Sequence, residues 1–150
     1  MRSFSFNLEK VLDLRKYREQ ETEIELGRAI GVLTQIEHEI QFVAEERYRA
    51  GEQFSGRSPS LRSYLLYADR LDRLKNRLLS DAALAEQKVD EARTIFIEAS
   101  RDRKVLDKLK EKREEEYKKF ALAEETKILD DLASGRQRVA SAKNGSPALP

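Results

Sequence analysis

The chain has 150 residues, 38% charged and 7% aromatic, with no tryptophan and no cysteine. So few aromatic side chains leave little material for a broad globular core, and without cysteine there is no disulfide framework or thiolate zinc site. The 29 Lys and Arg residues nearly equal the 28 Asp and Glu residues, so no global field attracts nucleic acid or an anionic membrane. We therefore predict an all-α protein of two long helices forming an antiparallel coiled-coil hairpin, with a disordered C-terminal tail.

The first predicted helix covers about residues 7–54. Asn7 is placed to cap it, and Phe6 and Val11 occupy the positions of a hydrophobic staple. Residues spaced alternately four and three apart then form a heptad seam, apolar from Leu26 to Val43 but polar before it, where pairing should be weaker. The seam consists of Leu8, Leu12, Arg15, Glu19, Thr22, Leu26, Ala29, Leu33, Ile36, Ile40, Val43, Arg47, Ala50 and Phe54.

A turn is predicted at residues 55–60, where Ser58 can cap a second helix that starts with Pro59. This helix covers about residues 61–133 and is expected to stop at Gly135, before a disordered tail at 136–150. Its seam consists of Leu61, Tyr64, Ala68, Leu71, Lys75, Leu78, Ala82, Ala85, Val89, Ala92, Phe96, Ala99, Arg103 and Leu106, then Leu109, Arg113, Tyr117, Phe120 and Ile128.

One short turn between two seams predicts a single hairpin domain, residues 1–135, monomeric when free, in which residues whose numbers sum to about 115 face each other. Glu19 is then level with Phe96, a poor match that should loosen the end far from the turn. The second helix overhangs the first, so Leu109 to Leu132 is expected to lack an intramolecular mate. A lone helix in water exposes its apolar stripe and is only marginally stable, which makes this overhang either frayed or a docking element for a partner.

Residues that could support catalysis are scarce. His38 is the only histidine, and one imidazole among Glu37 and Glu39 provides neither an activated nucleophile nor a metal site. We expect no catalytic residue, no metal and no cofactor, and hence not an enzyme. No segment approaches the roughly 20 apolar residues that span a bilayer, and Met1 to Leu14 lacks the apolar run of a secretory signal. A cytoplasmic location is expected.

A row of arginines offers an alternative function. Arg70, Arg73 and Arg77 share one helix face and could contact phosphates, although Asp69 and Asp72 dilute the charge. An RNA-binding coiled-coil arm and a generic coiled-coil scaffold or tether therefore stay open as alternatives to a specific protein partner.

Both ends of the chain carry patterns of one family. The opening reads Phe4-x-Phe6-x-Leu8-Glu9-Lys10-Val11-Leu12-x-Leu14-Arg15. The far end reads Leu106-Asp107-Lys108-Leu109-Lys110-Glu111-Lys112-Arg113, then Tyr117-Lys118-Lys119, Glu124-Glu125 and Leu129-Asp130-Asp131-Leu132-Ala133. Together with the length and the turn position, these motifs resemble the FliJ family of the bacterial flagellar type III export apparatus over nearly the whole chain.

The resemblance implies a coiled coil similar in shape to the γ subunit of rotary ATP synthases, inserted in the hexameric export ATPase FliI. It also implies contacts with the export gate FlhA and with export chaperones, no nucleic acid, and a place at the inner membrane at the flagellar base through partners only. The family's gate-binding face falls on Tyr48, Tyr67, Leu71, Leu74 and Leu78, and departs from the family at Glu37, Gln41 and Ala44.

The geometry of the hairpin extends these expectations. Tyr48 and Tyr67 should sit level on the two arms and form one patch near the turn. The ATPase should enclose the opposite end, where apolar surface lacks a mate. The residues expected to bind the ATPase are Leu8, Leu12, Arg15, Leu109, Arg113, Tyr117, Phe120 and Ile128.

Overall fold

A computed structural model describes residues 3–54 and 61–144. These residues form two α-helices, α1 (Glu9–Phe54) and α2 (Leu61–Asn144), and contain no strand. The predicted all-α fold of two long helices paired as an antiparallel coiled coil is confirmed. The predicted turn at 55–60 and positions 145–150 of the predicted tail lie outside the described residues. No helix of the described part is long and apolar enough to cross a membrane.

Helix α1 begins two residues after the predicted cap. Asn7 and Leu8 form a turn in which the Glu9 amide donates a hydrogen bond to the Phe6 carbonyl oxygen at 3.1 Å. Glu9 then stands in the first turn of α1, where a carboxylate favours the positive end of the helix dipole.

Helix α2 does not stop near residue 133 as predicted but continues through Gly135 to Asn144. A helical glycine costs about 1 kcal/mol relative to alanine, which is too little to end a helix whose neighbours favour it. Gly135 does not adopt the positive φ of a helix C-terminus, and strong helix formers such as Arg136, Arg138 and Ala140 follow it. The first nine residues of the predicted tail therefore belong to α2.

The chain divides into two compact units, one of residues Val11–Arg103 and one of residues Met1–Lys10 with Lys104–Pro150. The first unit is the hairpin, in which α1 packs against the beginning of α2. Its best-packed region is a cluster of Val43, Leu71 and Leu78, with Ile36 and Ile40 packed against it. The apolar half of the predicted seam therefore forms the core near the turn.

Burial follows the predicted seam closely. Every α1 seam residue from Leu8 to Phe54 is buried or half-buried. On α2, Leu61 and Lys75 are exposed seam positions, and beyond Leu106 the prediction loses phase. The half-buried positions there include Lys110, Glu114, Tyr117 and Ala121, and the predicted seam residues Arg113 and Phe120 fall between them and are exposed. Ile128 is exposed like every residue from 122 to 143.

Candidate interaction surfaces

The arms of the hairpin meet near the turn as the pairing rule predicts. The Phe54 and Tyr64 rings stack with centroids 4.5 Å apart and planes inclined by 12°. The Tyr67 hydroxyl donates to Glu46 Oε2 at 3.4 Å. In both pairs, each residue lies within about one helical turn of the position that the rule of numbers summing to about 115 sets opposite its partner. The predicted register near the turn is therefore confirmed.

Arg47, a polar residue on the apolar seam, bridges the two arms. Its Nη1 donates to the Tyr64 hydroxyl at 2.8 Å and its Nε to Asp72 Oδ1 at 3.3 Å. The hydrogen bond to Tyr64 is the main cause that raises the pKa of Arg47 above its ordinary value. Arg47 thus remains charged, and it joins α1 to α2 at two points, one at the seam residue Tyr64 and one at Asp72.

The polar section of the seam is paired by charge instead of left mismatched. Glu19 forms an ion pair with Arg103, with side chains only 18% and 25% exposed, so the prediction of a poorly matched carboxylate at Glu19 is wrong. Arg15 Nη1 donates to the Asp102 carbonyl oxygen at 2.8 Å. Long charged side chains reach along the groove to a partner of opposite charge, since a carboxylate against a phenyl ring would lose hydration without compensation.

The non-helical N-terminal segment occupies part of the predicted overhang. The Phe4 and Tyr117 ring centroids lie 5.6 Å apart, and the Arg113 guanidinium stands 5.6 Å from the centroid of Phe6, which is 8% exposed. Lys110 Nζ lies 2.8 Å from Glu9 Oε2. The predicted lack of a mate from Leu109 onward is therefore wrong as far as Tyr117, because the residues before α1 run along this part of α2.

Beyond Ala121, α2 has no packing partner among the described residues. Every residue from 122 to 143, the free segment, is exposed. Several of its side chains are large and apolar, with exposed fractions between 55% and 65%: Leu122, Ile128, Leu129, Leu132 and Val139. Phe120, just before it, is 65% exposed. An apolar stripe this exposed on a single helix is typical of a docking surface.

The residues predicted to bind the ATPase divide into two groups. Leu12 is fully buried, Leu8 and Leu109 are half-buried, and Arg15, Arg113 and Tyr117 contact other parts of the chain. Only Phe120 and Ile128 present exposed apolar side chains.

The residues predicted to bind the gate divide in the same way. Tyr48, Tyr67 and Leu74 are 68%, 41% and 38% exposed, whereas Leu71 and Leu78 are 8% and 7% exposed and belong to the core cluster. The heptad spacing that makes Leu71 and Leu78 seam residues also removes them from the surface.

Tyr48 and Tyr67 do not form one patch as predicted, because they line separate grooves. Tyr48 lies with Ala44, Arg47, Gly51 and Glu52. Tyr67 lies with Ala50, Gln53, Phe54, Ser63 and Tyr64, and its hydroxyl contacts Glu46. Since Glu46 and Tyr48 are about 200° apart around α1, the two tyrosines flank the seam on different sides. The departures Glu37 and Gln41 are exposed, and Ala44 is half-buried.

The arginine row lines a shallow groove with Leu66, Leu74 and Asp69. Asp69 Oδ2 lies 3.1 Å from Arg73 Nε, so the central arginine of the row is paired within the helix. This pairing weakens the row as a phosphate-binding surface.

Sequence reasoning missed a groove between the two arms. Its apolar wall comprises Ala29, Val32, Ala85, Ala92 and Ile95, and its charged rim includes Glu25, Arg28, Lys88 and Glu91. The groove could have been predicted from the alanines at seam positions of both arms, Ala29 on α1 and Ala85 and Ala92 on α2, because small seam side chains leave space between helices.

Comparison with known proteins agrees with the motifs at the two ends. Residues 4–141 match the family model described as "Flagellar FliJ protein". No curated protein and no solved structure matches the chain.

Proposed function

Because the chain belongs to the FliJ family and is therefore a flagellar export component, we propose that it is not an enzyme and acts as a coiled-coil stalk. It binds the export ATPase FliI and the export gate FlhA and couples ATP hydrolysis to protein export. Its binding to these two partners holds it at the flagellar base. The observation that carries the proposal is the exposed apolar surface of Phe120 and the free segment, since a stalk needs surface outside its own core.

The ATPase contact is assigned to Phe120 and Ile128 together with the other apolar residues of the free segment. The remaining residues expected from the sequence already pack within the chain, so their binding would first require breaking intramolecular contacts. Aromatic side chains in an exposed position are frequent anchors of protein interfaces. Phe120 is accordingly the residue on which the ATPase interaction depends most.

A matched pair of phenylalanines tests this assignment. Phe120 and Phe42 are 65% and 62% exposed, so Phe120→Ser and Phe42→Ser make the same chemical change at equal exposure. We expect Phe120→Ser to weaken binding to purified FliI by at least about tenfold, the size of a moderate hot spot, and Phe42→Ser to leave it unchanged. If the two substitutions weaken binding equally, or if neither weakens it, the assignment of the ATPase contact to this part of α2 is wrong.

Hydrogen exchange locates the contact independently. With FliI present, amides of residues 118–143 should gain protection, while those between Val43 and Phe54 change little. Amides of residues 8–25 should gain less protection than those of residues 118–143, because residues such as Arg15 and Glu19 are already paired with α2. Protection confined to the turn region would favour the alternative of a scaffold without a stalk role.

The gate contact is assigned to Tyr67 and Leu74 on α2, with Tyr48 on the other flank of the seam as a separate contact. Tyr67 combines an apolar ring with a hydroxyl that already donates to Glu46, and its exposure leaves the ring edge free for a partner. Tyr67→Ala should weaken binding to the FlhA cytoplasmic domain without changing helicity. If Tyr67→Ala and Leu74→Ala both bind the FlhA cytoplasmic domain with unchanged affinity, this face does not contact the gate.

A further inference from the structure

The free segment carries a heptad seam of its own. Leu122, Glu125, Leu129, Leu132, Arg136, Val139 and Lys143 follow alternating steps of three and four. All seven side chains are exposed, so no other described residue of the chain covers this seam. A seam of this spacing is built to receive another helix.

The charges of the free segment are arranged with opposite signs in its two halves. Residues 121–131 carry four carboxylates, Glu124, Glu125, Asp130 and Asp131, and one lysine. Residues 133–143 carry Arg136, Arg138 and Lys143 and no carboxylate. A helix with one acidic and one basic half is complementary to a reversed copy of itself.

The seam layers distinguish the direction of such pairing. In a parallel pair each seam residue meets its own copy, which sets Glu125 against Glu125, Arg136 against Arg136 and Lys143 against Lys143. In an antiparallel pair Glu125 meets Lys143, Leu129 meets Val139, and Leu132 meets the aliphatic stem of Arg136. Because each contact occurs twice by symmetry, the antiparallel arrangement replaces the three repulsive layers by two Glu125–Lys143 layers, two Leu129–Val139 layers and two Leu132–Arg136 layers, none of them between like charges.

The positions that flank the seam are small. Ala133, Gly135, Ala140 and Ala142 stand beside it, and a Cβ added at Gly135 would meet nothing within 4 Å. Small flanking residues let two helices approach closely. The overlap of two reversed copies lies beyond Tyr117, the position where Phe4 packs, so the N-terminal segment does not obstruct it.

We propose that the free segment is the docking site for a second copy of this chain, which pairs with it antiparallel through the seam from Glu125 to Lys143. The association does not depend on the proposed export function. It is reversible and weak, because the two Glu125–Lys143 layers are exposed ion pairs and the segment is short. Each chain keeps its own hairpin, so the monomer expected from the sequence is the form at low concentration.

Sedimentation equilibrium of the purified full chain, from micromolar to millimolar concentration, tests the association. The mass should rise from one chain toward two, and Glu125→Lys should raise the dissociation constant roughly tenfold, because it breaks two symmetric ion pairs. Adding Lys143→Glu should restore the affinity. Glu124→Lys, which makes the same change of charge off the seam, is the control. A single-chain mass at every concentration, or equal effects of Glu124→Lys and Glu125→Lys, would overturn the proposal.

Single cysteines test the direction, since the natural chain contains none. Ala133 lies beside its own copy in the antiparallel pair, so Ala133→Cys should form a covalent dimer under mild oxidation. Ser134→Cys, about 100° around the helix, should not. Chains with Leu129→Cys should cross-link to chains with Val139→Cys, but two chains that both carry Leu129→Cys should not cross-link. Cross-linking of Leu129→Cys to itself would show a parallel pair and contradict the proposed site.

Discussion

Two leucines one turn apart on α2 have opposite environments. Leu71 is 8% exposed and belongs to the core cluster with Val43 and Leu78, whereas Leu74 is 38% exposed and lines a surface groove. The family resemblance assigns both to the gate-binding face. A side chain in the core contributes to stability, and only the exposed one can contact a partner without unfolding the arm.

Alanine substitutions separate these two roles. Leu71→Ala should destabilise the hairpin by about 2–4 kcal/mol, because it leaves a cavity among tightly packed neighbours. Leu74→Ala should cost less than about 1 kcal/mol, as is usual for surface positions. Thermal unfolding followed by circular dichroism measures both. If Leu71→Ala unfolds at the natural temperature, the core assignment is wrong and the gate-binding role of Leu71 regains support.

The Glu19–Arg103 ion pair is a second residue-scale test. Glu19→Ala removes a partner from a mostly buried arginine and should cost about 1–3 kcal/mol. Glu25 forms an exposed pair with Arg28 within one helix, at 2.7 Å, so Glu25→Ala should change stability little. Urea denaturation of the two variants compares them directly. Equal stability would mean that the inter-arm pair adds nothing to the polar section of the seam.

Each helix has a different source of stability along its length. The hairpin part of α2 gains stability from the seam of α1, and the part from Lys110 to Tyr117 gains it from the residues before α1. Among the residues that the structure describes, the free segment has only its own backbone hydrogen bonds and local side-chain contacts, and a lone helix is marginal in water. Intrinsic helix propensity therefore matters more there than elsewhere in the chain.

Gly135→Ala provides the element-scale test. The added methyl group has open space around it, and the substitution should stabilise the local helix by up to about 1 kcal/mol. At low concentration, where we expect a monomer, amide exchange between residues 130 and 143 should slow by up to about fivefold. Ser134→Gly is the opposite control and should speed exchange there. Unchanged exchange in both variants would indicate that the segment is already stabilised by a partner.

For the whole molecule, the main question is whether the arms pair within one chain. One connection of a few residues brings the two seams together without the entropy loss of bimolecular association. The contacts of Arg47 with Tyr64 and Asp72 join the arms close to that connection. Pairing within the chain is therefore favoured over an open rod that exchanges arms with a second chain.

Light scattering at micromolar concentration should accordingly give the mass of one chain, 17.4 kDa. A mass that rises only at higher concentration and falls on dilution is the behaviour expected for pairing through the free segment. A dimer whose mass persists on dilution would instead show that the arms pair between chains. The hairpin of a single chain would then be wrong.

The sequence by itself determined the two helices, the face that α1 buries, the face that α2 buries as far as Leu106, and the presence of an unmated end. A heptad repeat reports burial directly, which is why every predicted α1 seam residue from Leu8 to Phe54 is buried or half-buried. The motifs at the two ends also identified the family before any geometry was considered. The end of α2 was harder to predict, because Gly135 is a weak stop among strong helix formers.

The tertiary structure alone decided which charged residues pair and which predicted contacts are free. A heptad repeat defines the buried face of a helix but not how far a long side chain reaches along that face. The ion pair between Glu19 and Arg103 could therefore not be predicted from the repeat. The segment before α1 does not follow the heptad spacing, so the seam did not predict the packing of Phe4 on Tyr117. Both contacts join residues far apart in the sequence. Only their positions in space distinguish an exposed docking surface from one that the chain already covers.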